Sequence, residues 1–315
     1  MAVFIRQTIN RKHAELAKAM CEERVTERLR DGLAKLVQPS KKIWRQATRS
    51  LGRDGRRLKL PYELREDSKT YALDGLAVAR MLGIGDRDSS IPMQIFSLFY
   101  LAVHVIDDLA EDYPKFYAQF TLAQRYARFE ERVIKEVLPF SYTLNSVLSI
   151  YRMIAGDSRY AKNGDRIFLD LVTNLGKFTH FFLFEQAEST PEWILQIKER
   201  EVSGVATSMI ADMLCLEDVF NHRVAVNLKN ALFRLGSLTQ FTDDLRDYDV
   251  DRAKDNANLM AGLEAKFGSA AQEKFRQWYI REENKMLASF RNSGLDVNID
   301  LMRAIPWYPS AVTGR

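Results

Sequence analysis

The stretch LTQFTDDLRDYDVDRAKDN carries Asp243, Asp247, Asp251 and Asp255, each four residues after the last. On a helix this spacing gathers the acids on one face, where like charges repel by about 0.2–0.5 kcal/mol per pair. Two arrangements relieve that repulsion. One is a solvated face on which Arg246, Arg252 and Lys254 act as counter-charges. The other is a divalent metal, because hard cations take carboxylate oxygens and Mg²⁺ is commonly held by one or two carboxylates together with substrate phosphates. Gly236, Thr239 and Gln240 stand upstream on the same face, with Leu235, Leu238, Phe241 and Leu245 to the side. Small and polar residues above a column of acids read as a helix wall lining a polar cavity.

A second acidic stretch favours the metal. FYLAVHVIDDLAEDYPK, Phe99 to Lys115, runs apolar for two turns and then presents Asp107, Asp108, Glu111 and Asp112 before Pro114, where the helix is expected to end. The spacing reads as Asp-Asp-x-x-Glu or as Asp108-xxx-Asp112. Unpaired carboxylates are costly to bury, so these acids are expected where a mostly buried helix emerges into a cavity. Two such helices facing one another form a cage able to hold several Mg²⁺ ions, which in turn hold a diphosphate. His104 precedes the first acid pair by one turn. It is either a core histidine or a cation drawn to carboxylates or diphosphate.

The elements that position these acids are expected to be helices. Gly (15) and Pro (8) are sparse among 315 residues, and strict alternation is absent. Apolar spacings of three and four recur in FLDLVTNLGKFTHFFLF and VAVNLKNALFRLGSLTQF. The chain reads as all-α, a single large helical bundle around a central cavity. Residues 1–65 are expected as a basic helical segment packed on the core and 66–315 as the catalytic domain.

Charge and cysteine usage narrow the partners. Residues 1–60 hold 16 Lys and Arg against 6 Asp and Glu, and the remainder holds 30 against 36. A basic N-terminal part suits nucleic acid or an anionic membrane surface, but here the bases are interspersed as on a solvated helix. No nucleic-acid motif with aromatic interleaving is present, so no nucleic-acid partner is expected. Cys21 and Cys215 make no disulfide framework or metal spacing, which fits a reducing cytoplasm. MAVFIRQTINRKHAEL lacks a signal-peptide core, and no apolar run is expected to span a membrane. No GxGxxG follows a strand, so no dinucleotide turn is assigned.

ALFRLGSLTQFTDDLRDYDVD resembles the second aspartate-rich helix of squalene and phytoene synthases, through Gly236, Gln240 and Leu245-Arg246-Asp247-xxx-Asp251. YLAVHVIDDLAED is similar to that family's first aspartate helix, EREVSGVATSMI to its VAGxVG helix through Val202, Gly204 and Val205, and SKTYAL, residues 68–73, to the start of its first core helix. The resemblance implies the all-α isoprenoid-synthase fold, Mg²⁺ held by Asp107, Asp108, Glu111, Asp112, Asp243, Asp247 and Asp251, and prenyl diphosphate substrates contacted by Gln240 and Arg246. An allylic carbocation formed in an apolar cavity is stabilised by aromatic faces. Candidates are Phe99, Tyr100, Phe178, Phe181 and Phe182, although aromatics at helical spacing commonly belong to the core. An apolar product leaves peripheral membrane contact open.

Three departures bear on the reaction. The family has Arg at the position of His104, Tyr at the position of Lys198, and a basic Arg-x-Tyr-Leu-Pro segment where this chain reads AKDNANLM. The metal-holding half is expected intact and groups tied to condensation altered. REVSG, Arg200 to Gly204, resembles the diphosphate-sensing arginine and helix break of class I terpene cyclases, and Asp243, Asp247 and Asp251 resemble a variant of their Asn-xxx-Ser-xxx-Glu triad. Chain-elongating prenyl synthases match less well, since no Arg pair follows Asp112. Head-to-head condensation of two prenyl diphosphates is therefore the leading expectation, with His104, Lys198, Arg200 and Gly204 in catalytic positions. Cyclisation of one prenyl diphosphate and a non-catalytic helper retaining the fold are the alternatives.

Overall fold

The computed structural model describes residues 13–37, 75–118, 138–184, 192–254 and 258–307. The regular elements among them are all helical. In chain order they are α1 (Ala14–Glu22), α2 (Glu27–Val37), α3 (75–81), α4 (Asp86–Ala118), α5 (Leu138–Gly156), α6 (Gly164–Phe184), α7 (Glu192–Met213), α8 (Leu216–Val219), α9 (His222–Lys254), α10 (Leu259–Phe267), α11 (Ala271–Ser293) and α12 (Ile299–Ala304). The all-α expectation holds. SKTYAL lies outside the described residues.

Helix α4 is the central core element. Between residues 95 and 106 every position is buried apart from Tyr100 and His104. It packs on α5 and α6 to one side and on α7 to another. Two expectations about this helix need correcting. It runs through Pro114 to Ala118; a proline removes one i→i−4 hydrogen bond, but a helix already propagating can continue past that loss near its end. Residues 88–106 also prove long and apolar enough to cross a membrane by length and composition, yet they are mostly buried inside the protein, as a helix that is apolar all round must be.

The rear of the bundle is aromatic. Phe275, Tyr279 and Phe290 of α11 are fully buried with Trp307, and the Trp307 indole donates to the Tyr279 hydroxyl at 2.7 Å. Phe241 of α9 stands 5.8 Å from Phe275, ring centre to ring centre. Thr242 donates to the Pro306 carbonyl at 2.7 Å, so the chain after α12 is pinned behind α9. Gly294 ends α11 at φ 72°, a left-handed conformation that a side chain disfavours.

Residues 13–37 join this rear wall. Met20 and Leu33 are within the core, and Arg80 of α3 donates to the Leu36 carbonyl at 2.5 Å. The basic N-terminal part is thus not uniformly solvated, a third correction. Arg24 is 3% exposed, its Nε donates to Glu283 Oε1 at 2.7 Å, and its guanidinium lies 4.8 Å from the Tyr279 ring centre. Glu283 is buried as well and is also approached by Arg303 at 3.2 Å. A buried charge persists only when paired and hydrogen-bonded, and the turn between α1 and α2 supplies that partner from far along the sequence.

Candidate active site

The acid column Asp243, Asp247 and Asp251 is carried by α9, and α9 is set in place by α7. The two helices cross at a pair of glycines. A Cβ on Gly236 would lie 2.3 Å from Thr207 Oγ1 and 2.6 Å from the Ser203 carbonyl oxygen; one on Gly204 would lie 2.5 Å from Ser237 Oγ and 2.7 Å from the Phe233 carbonyl oxygen. Each glycine therefore receives the backbone of the other helix, a separation that any side chain would widen. Gly236 accordingly fills the helix crossing, not a cavity wall as its position in the sequence suggested. Gly204, expected in a catalytic position, sits in the same crossing. One turn beyond Gly236 the Ser203 hydroxyl donates to Gln240 Oε1 at 3.3 Å, so the crossing also orients the amide that the sequence singled out.

Below Gln240 the acids divide by face. Asp243 is about half-exposed, with 46% of its side chain accessible, and pairs with Arg246 one turn on. Asp247 is exposed. Asp251 is half-buried, and its Oδ2 accepts from Asn258 Nδ2 at 2.9 Å. On the opposite side, Asp244 is buried at 4% exposure, level with Leu245 and Tyr248. Helix α9 thus has an apolar rear and an acidic front, as the 3.6-residue period requires.

Asn258 closes the lower end of this arrangement. It is fully buried, its Nδ2 also donates to the Asp244 carbonyl at 2.9 Å, and its Oδ1 accepts from the Met260 amide at 2.9 Å, which caps α10. Sequence reasoning missed this residue, although Asn before an apolar run is a helix-start signal. Behind it the Tyr248 hydroxyl bonds to Glu264, Arg252 donates to that hydroxyl at 2.5 Å, and the His13 ring meets Tyr248 edge-on at 4.5 Å. Arg252, expected as a counter-charge for the acid column, stands 3.6 Å from Glu264 instead.

Oxygen donors spaced one turn apart on an accessible face suit a hard cation, and Asp243 and Asp247 meet that requirement. Among the described residues no group of three or more His, Cys, Asp or Glu converges to hold a metal ion. The other half of the expected cage, Asp107, Asp108, Glu111 and Asp112, belongs to α4, but those side chains lie outside the described residues, as do those of Phe181, Phe182, Lys198 and Arg200. What α4 does present is the stripe of Tyr100 and His104, four residues apart and half-buried on an otherwise buried stretch. The same register, continued one turn, reaches the first acid pair. Tyr100 packs against Phe96 with ring centres 5.6 Å apart and ring planes tilted by 57°. Phe99 and Phe178 face each other at 6.1 Å with exposures of 1% and 3%, which makes them core.

No family model matches the sequence, and no curated protein matches it. Among solved structures the chain is similar to the geranylgeranyl pyrophosphate synthetase of the archaeon Geoglobus acetivorans, with a TM-score of 0.60 and 12% identity, over 95% of this chain and 98% of that one. At that identity the likeness is one of fold, and the fold of this chain is the all-α isoprenoid-synthase bundle.

Proposed function

We propose that the protein is an enzyme that ionises an allylic prenyl diphosphate with the help of Mg²⁺, and that it joins two such substrates head to head as squalene and phytoene synthases do. The observation that carries the reading is the accessible pair Asp243 and Asp247 on a helix locked at Gly236, in a bundle whose solved neighbour is a prenyl pyrophosphate synthetase. Asp243 and Asp247, with Asp107, Asp108, Glu111 and Asp112 of α4, are the residues to hold the ions. When bound, Mg²⁺ neutralises the diphosphate and improves it as a leaving group. Arg246, beside Asp243, supplies a planar donor fork to phosphate oxygens. Tyr100 offers a ring face to the developing cation, and His104 stands between that ring and the acids of α4.

A second reading, elongation of one prenyl diphosphate by isopentenyl diphosphate, is favoured by the activity named for the solved neighbour. Product mass separates them. Purified protein is incubated with Mg²⁺ and geranyl, farnesyl or geranylgeranyl diphosphate, with and without isopentenyl diphosphate. A doubled carbon skeleton supports condensation and an added isoprene unit supports elongation. An unchanged carbon count identifies a cyclase or eliminating enzyme, and failure to release diphosphate from any substrate overturns the enzymatic reading.

A further inference from the structure

Ser203 of α7 uses its hydroxyl differently from the other helical hydroxyls near the crossing. Ser237 and Thr239 of α9 donate within their own helix, to the Phe233 and Leu235 carbonyls four residues back, at 3.1 and 3.0 Å. Ser208 of α7 likewise donates to the Val205 carbonyl at 2.8 Å. That is a common outcome for a hydroxyl inside a helix. Ser203 instead reaches across to Gln240 Oε1 of α9 at 3.3 Å. It does so from an unbroken helix: α7 runs from Glu192 to Met213 without the interruption that the REVSG resemblance implied, and the Ser203 carbonyl lies against Gly236. Gln240 is half-buried and stands three and seven residues before Asp243 and Asp247, on the face that carries them.

The last torsion of a glutamine is broad and nearly two-fold, so nothing in the side chain itself decides which end of the amide faces outward. With Oε1 engaged by Ser203, the two N–H groups of Nε2 are the end left to the front of α9, and among the described residues they have no partner. The opposite rotation would turn a carbonyl oxygen toward two carboxylates, which Coulomb repulsion disfavours. We propose that Ser203 is a positioning residue for a diphosphate: it holds the Gln240 amide with its donor end outward, so that Nε2 donates to a phosphate oxygen. The inference rests on the reading of this face as a prenyl diphosphate site. A neutral donor gives a phosphate oxygen a directed partner and leaves Asp243 and Asp247 to the ions. Gln240 is the residue that touches the phosphate, and Ser203 acts through it.

Calorimetric titration of the full chain with inorganic pyrophosphate in the presence of Mg²⁺ tests the proposal, with denaturant unfolding of the same variants alongside. Ser203→Ala should weaken pyrophosphate binding by about three- to tenfold, the range of one neutral hydrogen bond. It should do so without lowering the unfolding midpoint, because alanine is the better helix former. Gln240→Met, which keeps the length of the side chain and removes its donors, should weaken binding at least as much. In the Gln240→Met background Ser203→Ala should change the affinity by less than about twofold, since the group it positions is gone. A Ser203→Ala loss of the same size with and without Gln240→Met assigns Ser203 to the packing of the crossing and overturns the proposal. Unchanged affinity in Ser203→Ala overturns it as well. A wild-type chain that binds no pyrophosphate overturns the diphosphate reading of the face and this inference with it, a result distinct from an indifferent Ser203→Ala.

Discussion

Alanine at Gly236 places a methyl group 2.6 Å from the Ser203 carbonyl oxygen, where ordinary contact begins at 3.4 Å. The nearer atom, Thr207 Oγ1 at 2.3 Å, can rotate away, at a cost of about 0.5–1.5 kcal/mol if its side chain is left off-rotamer. The carbonyl is backbone and cannot, so α7 and α9 must part by about 0.8 Å at the crossing. Overpacking of this kind costs about 1–3 kcal/mol, against which the better helix propensity of alanine returns about 1 kcal/mol. The net expectation is a loss of about 0–2 kcal/mol, although propensity alone demands a gain. Gly156 supplies the control: it ends α5 with nothing within 4 Å of a Cβ, and Gly156→Ala should be neutral or stabilising.

The pair Gly204 and Gly236 sharpens the test. Both substitutions require the same separation of the same two helices, so the gap opened by one accommodates the other. Gly204→Ala with Gly236→Ala should cost less than the sum of the singles, by on the order of 1 kcal/mol. Denaturant midpoints at constant m measure all three. Turnover should fall further than stability, because Gln240 and Asp243 follow Gly236 on the same helix, and a displacement of about 1 Å can cost roughly 10²-fold in rate. Stabilisation by Gly236→Ala, or strict additivity in the double variant, would refute the close crossing.

Asp247→Asn should abolish diphosphate release while leaving the unfolding midpoint within about 0.5 kcal/mol of wild type, since the residue is exposed; full activity would remove it from the metal-holding set. Asn258→Ala should destabilise by about 1–3 kcal/mol, because it strands the buried Asp244 carbonyl and uncaps α10; calorimetry or denaturant titration reads the loss. Hydrogen bonds from Arg159 hold the Asp157 carboxyl below its ordinary range. That contribution is complete above the ordinary aspartate value near pH ~4 and is lost as pH falls through the lower folded value. Wild type should therefore lose stability more steeply than Arg159→Met on acidification below about pH 4, and parallel curves would refute the assignment.

What was legible in the sequence is what the helical period carries. Leu238, Phe241 and Leu245 are buried and Asp243 and Asp247 face outward because i,i+3 and i,i+4 spacing sorts a helix into faces without knowledge of its neighbours. Gly236 and Gln240 were also visible, but as members of a motif. That Gly236 receives Ser203 and Gly204 receives Phe233 depends on which helix crosses which, and periodicity holds no such information. Arg24 shows the same limit. Its neighbours in sequence, Glu22, Glu23 and Glu27, are those of a solvated charged stretch, while its partner Glu283 is 259 residues away.

Asn258 bears on how the front of α9 works. The segment AKDNANLM stands where squalene and phytoene synthases have a basic segment, which on sequence alone marks groups tied to condensation as altered. In the fold the same segment supplies a buried amide that holds Asp251 Oδ2 and the Asp244 carbonyl at once and starts α10 with its oxygen. An amide with both ends engaged in the interior is a fixed strut, because releasing it would leave buried polar groups unsatisfied. The lower end of the acid column is therefore tied to the scaffold, and its accessible charge lies one and two turns above, at Asp247 and Asp243. Under the proposed function a metal-held diphosphate would meet those two carboxylates first, with Arg246 beside Asp243, so the upper half of the column would set the chemistry and the lower half its rigidity.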